Sequence, residues 1–193
     1  MTRLAFSAIS LVGLALVVAC NDSRAPTAAP QLSLSQAHAG STLGFGFNGT
    51  ASGFPTGAVF LTGGGAYDAA TASNTVPSET FVHSGGGFRC TATVAQGPLN
   101  GCAEGEGVRW DTAQLLASTG FKCTGADALK TATTGDETVV LLADFYRAGD
   151  GIDESFTAQM IVSETDLAPD IDGVQNLWVQ GVGCGASVVH FSK

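Results

Sequence analysis

The side chains that could do chemistry are few, and each needs partners that its neighbours in the sequence do not supply. Nucleophilic catalysis requires a base beside the nucleophile and a third group to orient that base. Of the three histidines, His38 lies in a segment rich in Ala, Pro, Thr and Ser, and His190 stands beside Phe191 near the end of the chain. His83 adjoins Ser84, but consecutive side chains on a strand point to opposite faces, so the two cannot act together. No Gly-x-Ser-x-Gly elbow occurs, and a serine hydrolase is not the expected chemistry.

Carboxylates are more numerous. Asp150, Asp153 and Glu154 fall in one expected connection, and Asp166, Asp170 and Asp172 cluster with Gly173 in the next. If both connections lie at one end of a sheet, their oxygens could hold calcium, which takes roughly six to eight oxygen ligands. Asp170-Ile171-Asp172-Gly173 nevertheless departs from the EF-hand pattern, with Ala168 at its first position and Val179 at its last. Solvated turn acids are the preferred reading, and calcium is kept as the alternative. A glycoside hydrolase needs two carboxylates flanking the scissile bond, and nothing in the spacing selects two. Gly44-Phe45-Gly46-Phe47-Asn48-Gly49 matches Gly-x-Gly-x-x-Gly literally. A dinucleotide site would need a strand before it and a helix after it. A polar segment precedes it instead, and Thr50 to Pro55 cannot open a helix, so a glycine-rich edge segment is expected. Trp110 and Trp178 could stack on sugars if exposed, but their apolar neighbours favour core packing.

The first residues have the three parts of a secretory signal. Arg3 supplies positive charge, and an apolar run from Leu4 to Ala19 is broken only by Ser7, Ser10 and Gly13. That run is shorter than the ~20 apolar residues of a permanent membrane span. Val17-Val18-Ala19-Cys20 resembles the lipobox of bacterial lipoproteins. The resemblance implies cleavage before Cys20 and attachment of a diacylglyceryl group to its thiol, with a further acyl chain, such as palmitate, on the new amino group in many bacteria. Two or more chains anchor a protein stably where one holds it only marginally. By the same resemblance, Asn21 stands where many lipoproteins kept in the inner membrane have Asp. That favours the outer membrane or cell surface as the destination within the bacterial envelope.

The expected layout is a signal peptide over 1–19, the lipidated Cys20 and a flexible tether over 20–43, and one domain over 44–193. The tether has neither a helical nor a strand period and little to bury. Eight basic residues, Arg3 among them, face 17 acidic ones, for a net charge of −9. Nucleic acid is excluded as a partner, because phosphate neutralisation needs Lys and Arg. The membrane, through the anchor, and an unidentified envelope protein or glycan are the partners left.

In an exported chain the even set Cys90, Cys102, Cys123 and Cys184 reads as two disulfides with three possible pairings. Cys90–Cys102 with Cys123–Cys184 is preferred, because Gln96-Gly97-Pro98 and Asn100-Gly101 are turn formers able to bring the first two together. Zinc is not expected: there is no Cys-x-x-Cys and no His at ligand spacing from a Cys,. Phe88, Cys90, Ala92 and Val94 alternate with polar residues, as do Phe156, Ala158, Met160 and Val162,. The run 138–147 is apolar on both faces at Val139-Val140-Leu141-Leu142, as a central strand would be. Further strands are expected at 58–62, 80–83, 107–110, 175–182 and 187–191, and one short helix at 112–118 capped by Asp111. The sum is an all-β, disulfide-stapled antiparallel domain, a β-sandwich by preference and a small barrel as the alternative. No metal or cofactor set stands out. The expected role is a non-enzymatic binding or structural module, against the alternative of an envelope hydrolase, glycan-directed, using Asp or Glu.

Overall fold

Side chains that alternate between apolar and polar build the long strands. Along β1 (Leu43–Gly53), Leu43, Phe45, Phe47 and Ala51 are buried, while Asn48, Thr50 and Ser52 face water. The computed structural model describes residues 41–147 and 155–193, and the same alternation runs through it. Its other strands are β2 (Ala58–Tyr67), β3 (Val82–Ala92), β4 (Arg109–Leu115), β5 (Ser118–Phe121), β6 (Lys130–Thr133), β7 (Thr138–Tyr146), β8 (Ser155–Ser163), β9 (Leu177–Val179), β10 (Gly183–Gly185) and β11 (Ser187–Ser192). Two 3-10 turns, Ala69–Thr71 and Pro77–Glu79, lie in the connection from β2 to β3.

Nine strands form one sheet in the order β10-β9-β8-β7-β4-β3-β2-β1-β11. Each pairing is antiparallel, and β10 also pairs with β1 through Ser52↔Cys184 and Gly53↔Gly183. The ladder therefore returns to the strand it started from. β10 and β11 are two lengths of the last strand, separated at Ala186, and both run along β1. The expectation of an all-β, antiparallel, disulfide-stapled domain holds. Of the two packings considered for it, closure of β10 on β1 is the hydrogen bonding of the barrel.

Inward residues of the ring fill its interior. Phe45, Phe47, Leu61, Tyr67, Phe88, Trp110, Leu141, Phe145, Met160 and Leu177 belong to one buried apolar cluster. The outward positions carry Asn48, Thr50, Thr62, His83, Arg89, Asp111, Asp144 and Thr157. An apolar inside and a polar outside is the reverse of a barrel whose strands face lipid. Among the described residues no helix is long and apolar enough to cross a membrane.

The β5–β6 hairpin lies outside this ring and pairs only within itself. A second apolar cluster joins Phe121, Cys123 and Ala132 of the hairpin segment to Val140, Ile161, Trp178 and Cys184 of the ring. This explains why β7 and β8 are apolar on both faces at Val139–Val140 and Ile161–Val162: one face fills the ring, the other is roofed by the hairpin. The Cys123–Cys184 disulfide fastens the two together, and Trp178 Nε1 donates to the Lys122 carbonyl at 3.1 Å. The other disulfide, Cys90–Cys102, closes a loop whose Gly97 and Gly101 have φ of 76° and 89° and whose Leu99 is fully buried. On chain entropy alone the two crosslinks are worth roughly 3 and 4 kcal/mol.

Three expectations need correction. The segment 112–118 is not a helix: residues to Leu115 belong to β4, which carries a register shift between Thr112 and Gln114. The bulge sends Leu115 into the ring cluster and lets Leu116 join the hairpin cluster, and Asp111 pairs with Arg109 at 3.3 Å instead of capping a helix. Gly44 to Gly49 is not an edge: it is the body of β1, with β2 on one side and β11 on the other. The domain also starts earlier than 44, because Leu43 begins β1 and is buried.

Trp110 explains one glycine on the inner wall. Phe47, Gly63, Gly86 and Trp110 are successive partners across β1, β2, β3 and β4. The fully buried indole lies against Gly63, where a Cβ would come within 2.5 Å of Trp110 Cζ2 and 2.6 Å of the Gly85 carbonyl. At the outward Gly46 the nearest atom to a Cβ would be 3.9 Å away. Gly63→Ala should therefore destabilise the domain by about 1–3 kcal/mol through overpacking. Gly46→Ala should be neutral or stabilise by up to about 1 kcal/mol, since it only removes strand-glycine entropy. Guanidinium unfolding of the two variants beside the parent checks the contrast.

Candidate functional site

Cys20, His38, Asp150, Asp153 and Glu154 lie outside the described residues. The remaining calcium candidates sit in the connection between β8 and β9, and the carboxylates of Asp166 and Asp170 have local partners there. Asp166 Oδ1 accepts from the backbone N–H of Ala168 at 3.0 Å and of Gln175 at 3.1 Å, which shapes the turn. Asp170 Oδ2 accepts from Lys130 Nζ at 3.0 Å, so an ammonium occupies its open side. Asp172 is exposed, and its carbonyl accepts from the Gln175 side chain. Among the described residues no three His, Cys, Asp or Glu side chains converge as a metal set would.

Lys130 also reaches Asp127 at 3.6 Å, linking the hairpin loop to the β8–β9 connection. A hydrogen bond from Thr124, more than the charge of Lys130, holds the Asp127 carboxyl below its ordinary range. Asp170, accepting its hydrogen bond, pulls Lys130 upward. These are structural pairs of the roof.

Both tryptophans are core residues. Trp110 is fully buried and its Nε1 donates to the Thr62 carbonyl at 3.0 Å, while Trp178 is buried beneath the hairpin. Ser84 takes the opposite face from His83 and shares a hydrogen bond with Thr112. His83 and His190 stand exposed on the outer face.

That outer face is the surface that isolated motifs did not reveal. Across β11, β1, β2, β3, β4 and β7, one outward row reads His190, Gly46, Gly64, Gly85, Asp111, Asp144. The adjoining row reads Val188, Asn48, Thr62, Gly87, Arg109, Tyr146. Next along the strands, Phe60 faces Arg89. Bare backbone floors the middle of this face, and functional groups rim it. Two shallow hollows open on it. One, of about 380 Å³, is lined by Gly64, Gly65, His83, Ser84, Gly85 and Asp111. The other, of about 400 Å³, has Phe60, Thr62, Gly87, Arg89 and Val108 around it. The Arg109 guanidinium lies over the Tyr146 ring at 4.5 Å and pairs with Asp111. The signal in the sequence was the pair of triplets Gly63-Gly64-Gly65 and Gly85-Gly86-Gly87, which lie opposite one another only once β2 and β3 are paired.

Asp111 and Asp144 are cross-strand neighbours. Asp111 is committed to Arg109, and Asp144 Oδ1 accepts from Thr157 Oγ1 at 2.6 Å. They stand side by side on an open face, whereas a glycosidase places its two carboxyls across a cleft.

Set against protein-family models, curated proteins and solved structures, the chain matches none of them.

The most displaced ionisation belongs to a buried group far from this face. Tyr67 is fully buried and donates to the Gly135 carbonyl at 2.6 Å. Burial first, then the charges of Asp136 and Glu164, push its hydroxyl well above the usual 10.0. The folded state thus favours the neutral phenol. Its contribution is intact below the unfolded value near 10 and is lost as the pH climbs above it toward the folded value. Tyr67→Phe should cost about 1 kcal/mol at neutral pH from the lost hydrogen bond. It should also flatten the fall in unfolding free energy between about pH 9 and pH 11, as read from urea melts at each pH.

Proposed function

We propose that this chain is a lipid-anchored, non-enzymatic binding module of the bacterial cell envelope, working through the outer face of β1 to β4. The observation that carries the reading is where open space lies. Apolar side chains pack the ring interior, and two shallow hollows open on an outer face floored by glycine, while others lie in the β2–β3 connection and beside the hairpin. A ligand on the outer face meets flat backbone with aromatic, hydroxyl and guanidinium groups at its rim, which suits recognition of a surface. A lipid on Cys20 would supply the attachment to the membrane that an acidic chain does not gain from anionic lipid by charge,.

The second reading is a glycan-directed envelope hydrolase, and the neighbouring Asp111 and Asp144 are what favour it. Their engagement by Arg109 and Thr157, on a face without a cleft, makes it the weaker of the two.

Two measurements test the proposal. Cys20→Ala should leave the domain folded and move the protein from the membrane to the soluble fraction, and firm retention in membranes would defeat the anchor. The same lipid-free variant, added to envelopes from cells lacking the protein, should sediment with them. Adding Gly46→Leu, at an outward position where a Cβ meets nothing closer than 3.9 Å, should reduce that association at least tenfold. A Cys20→Ala protein that never sediments would overturn the binding module. Release of reducing sugar by the parent, abolished by Asp144→Asn, would replace it with the hydrolase.

A further inference from the structure

We propose that the hollow over Gly87 binds a single carboxylate-bearing sugar, a uronate set between neutral hexoses in an envelope polysaccharide. This inference rests on the reading of the outer face as a binding surface and names its ligand class.

Arg89 carries the argument. The chain has 17 acidic residues against eight basic ones, and four of its other five described cations are engaged. Arg109 meets Asp111, Lys130 meets Asp127 and Asp170, Lys193 meets Asp136, and Arg147 lies 3.8 Å from Glu106 and over the Phe156 ring. Lys122, which directly follows β5, lines a separate hollow with Phe121, Leu129 and Trp178. Arg89 is exposed at the rim of the hollow, and no acid among the described residues pairs with it. A guanidinium presents a planar fork of donors matched to a carboxylate, and on an acidic protein an unclaimed one is a local site for an anion.

The walls select the rest of the ligand. Phe60 and Val108 are apolar side chains left 38% and 52% exposed, one on each side of the hollow. They offer dry contact to the C–H face of a pyranose, and Thr62 offers a hydroxyl between them. About 400 Å³ is within the range of small-ligand sites,. The floor is glycine, and packing disfavours a side chain there only mildly, through one hydroxyl that can rotate away. A Cβ at Gly87 would find only the Thr62 hydroxyl at 3.2 Å and the Val108 carbonyl at 3.7 Å, whereas at the neighbouring Gly86 it would fall 1.9 Å from the Thr62 carbonyl. A strand glycine leaves the backbone open to close approach by a ligand, and here it keeps the Thr62 hydroxyl accessible.

The alternatives fit less well. The amides of β2 and β3 are used in the ladder, so a peptide cannot add to this face as a strand. A nucleic acid or a dense polyanion would be repelled by the net charge of −9,. One isolated carboxylate among neutral sugars avoids that repulsion and still satisfies Arg89.

The test uses the full lipidated chain in detergent micelles and a trisaccharide of one glucuronate flanked by two glucose residues. Its controls are the same trisaccharide with the carboxylate reduced to an alcohol, and an acidic tripeptide. Calorimetric titration should show binding of the trisaccharide, at least tenfold weaker after reduction. Arg89→Gln should lose the same factor and no longer distinguish the two sugars, while Arg89→Lys keeps part of the preference. Gly87→Val should abolish binding with its unfolding midpoint within a few degrees of the parent. Equal affinity for the native and reduced sugars, an unaffected Arg89→Gln variant, preference for the tripeptide, or no binding at millimolar concentration would each overturn the proposal. If the lipid-free protein still sediments with envelopes in those cases, the binding module survives and only its ligand is wrong.

Discussion

Burying an indole inside a small ring of strands is the constraint on which this structure turns. Trp110 has no exposed surface, and Phe47 reaches toward it from the far end of the same cross-strand row, with ring centroids 5.9 Å apart. Gly63 and Gly86 stand between them in that row. Their lack of side chains lets β2 and β3 approach so closely that a Cβ at Gly86 would lie 2.6 Å from the Gly63 Cα. Glycine in a sheet lets strands bend sharply, and here it gives the ring room for its largest side chain.

The same strands carry glycine on their outward positions, at Gly46, Gly64, Gly85 and Gly87, and the consequence there is different. Inside, missing side chains are replaced by Trp110. Outside, nothing in the fold replaces them, and a flat strip of backbone is left between His190 and Val188 on one side and Asp111 and Arg109 on the other. Some outward glycines are required by contacts, since a Cβ at Gly64 would lie 2.3 Å from the Phe45 carbonyl. Gly46 is not, and Gly87 is only mildly constrained, by the Thr62 hydroxyl at 3.2 Å. The bare face is thus partly a by-product of close strand packing and partly a feature with no packing cause.

Elsewhere the ring is reinforced from outside. The β5–β6 hairpin makes no ladder with the main sheet and is held by its own small core, the Cys123–Cys184 disulfide, and hydrogen bonds to Trp178 and Gln159. Below it, β7 and β8 are sealed on both faces. At the far end of the ring β11 passes beyond β9, and its backbone is met by side chains: Asn176 pairs with the N–H and the carbonyl of Ser187, and Glu164 accepts from the Phe191 N–H. These contacts do the work of a missing neighbour strand and leave less edge for another chain to join.

Local pattern alone determined what is periodic or countable. The alternation of 88–94 and 155–164, the two-faced apolar run of 138–147, and the short loop between Cys90 and Cys102 each state their structure within a few residues, because strand burial has a period of two and a short disulfide loop needs only turn formers. Tertiary structure decided what depends on pairing. Gly44 to Gly49 reads as a glycine-rich edge segment until β2 and β11 lie on either side of it. Residues 112–118 read as a capped helix because the bulge that divides Leu115 and Leu116 between two cores leaves no local mark. The outer face could not be read at all, since Gly46, Gly64, Gly85, Phe60 and Arg89 lie on three strands and become neighbours only through register, and register is set by the core those strands enclose.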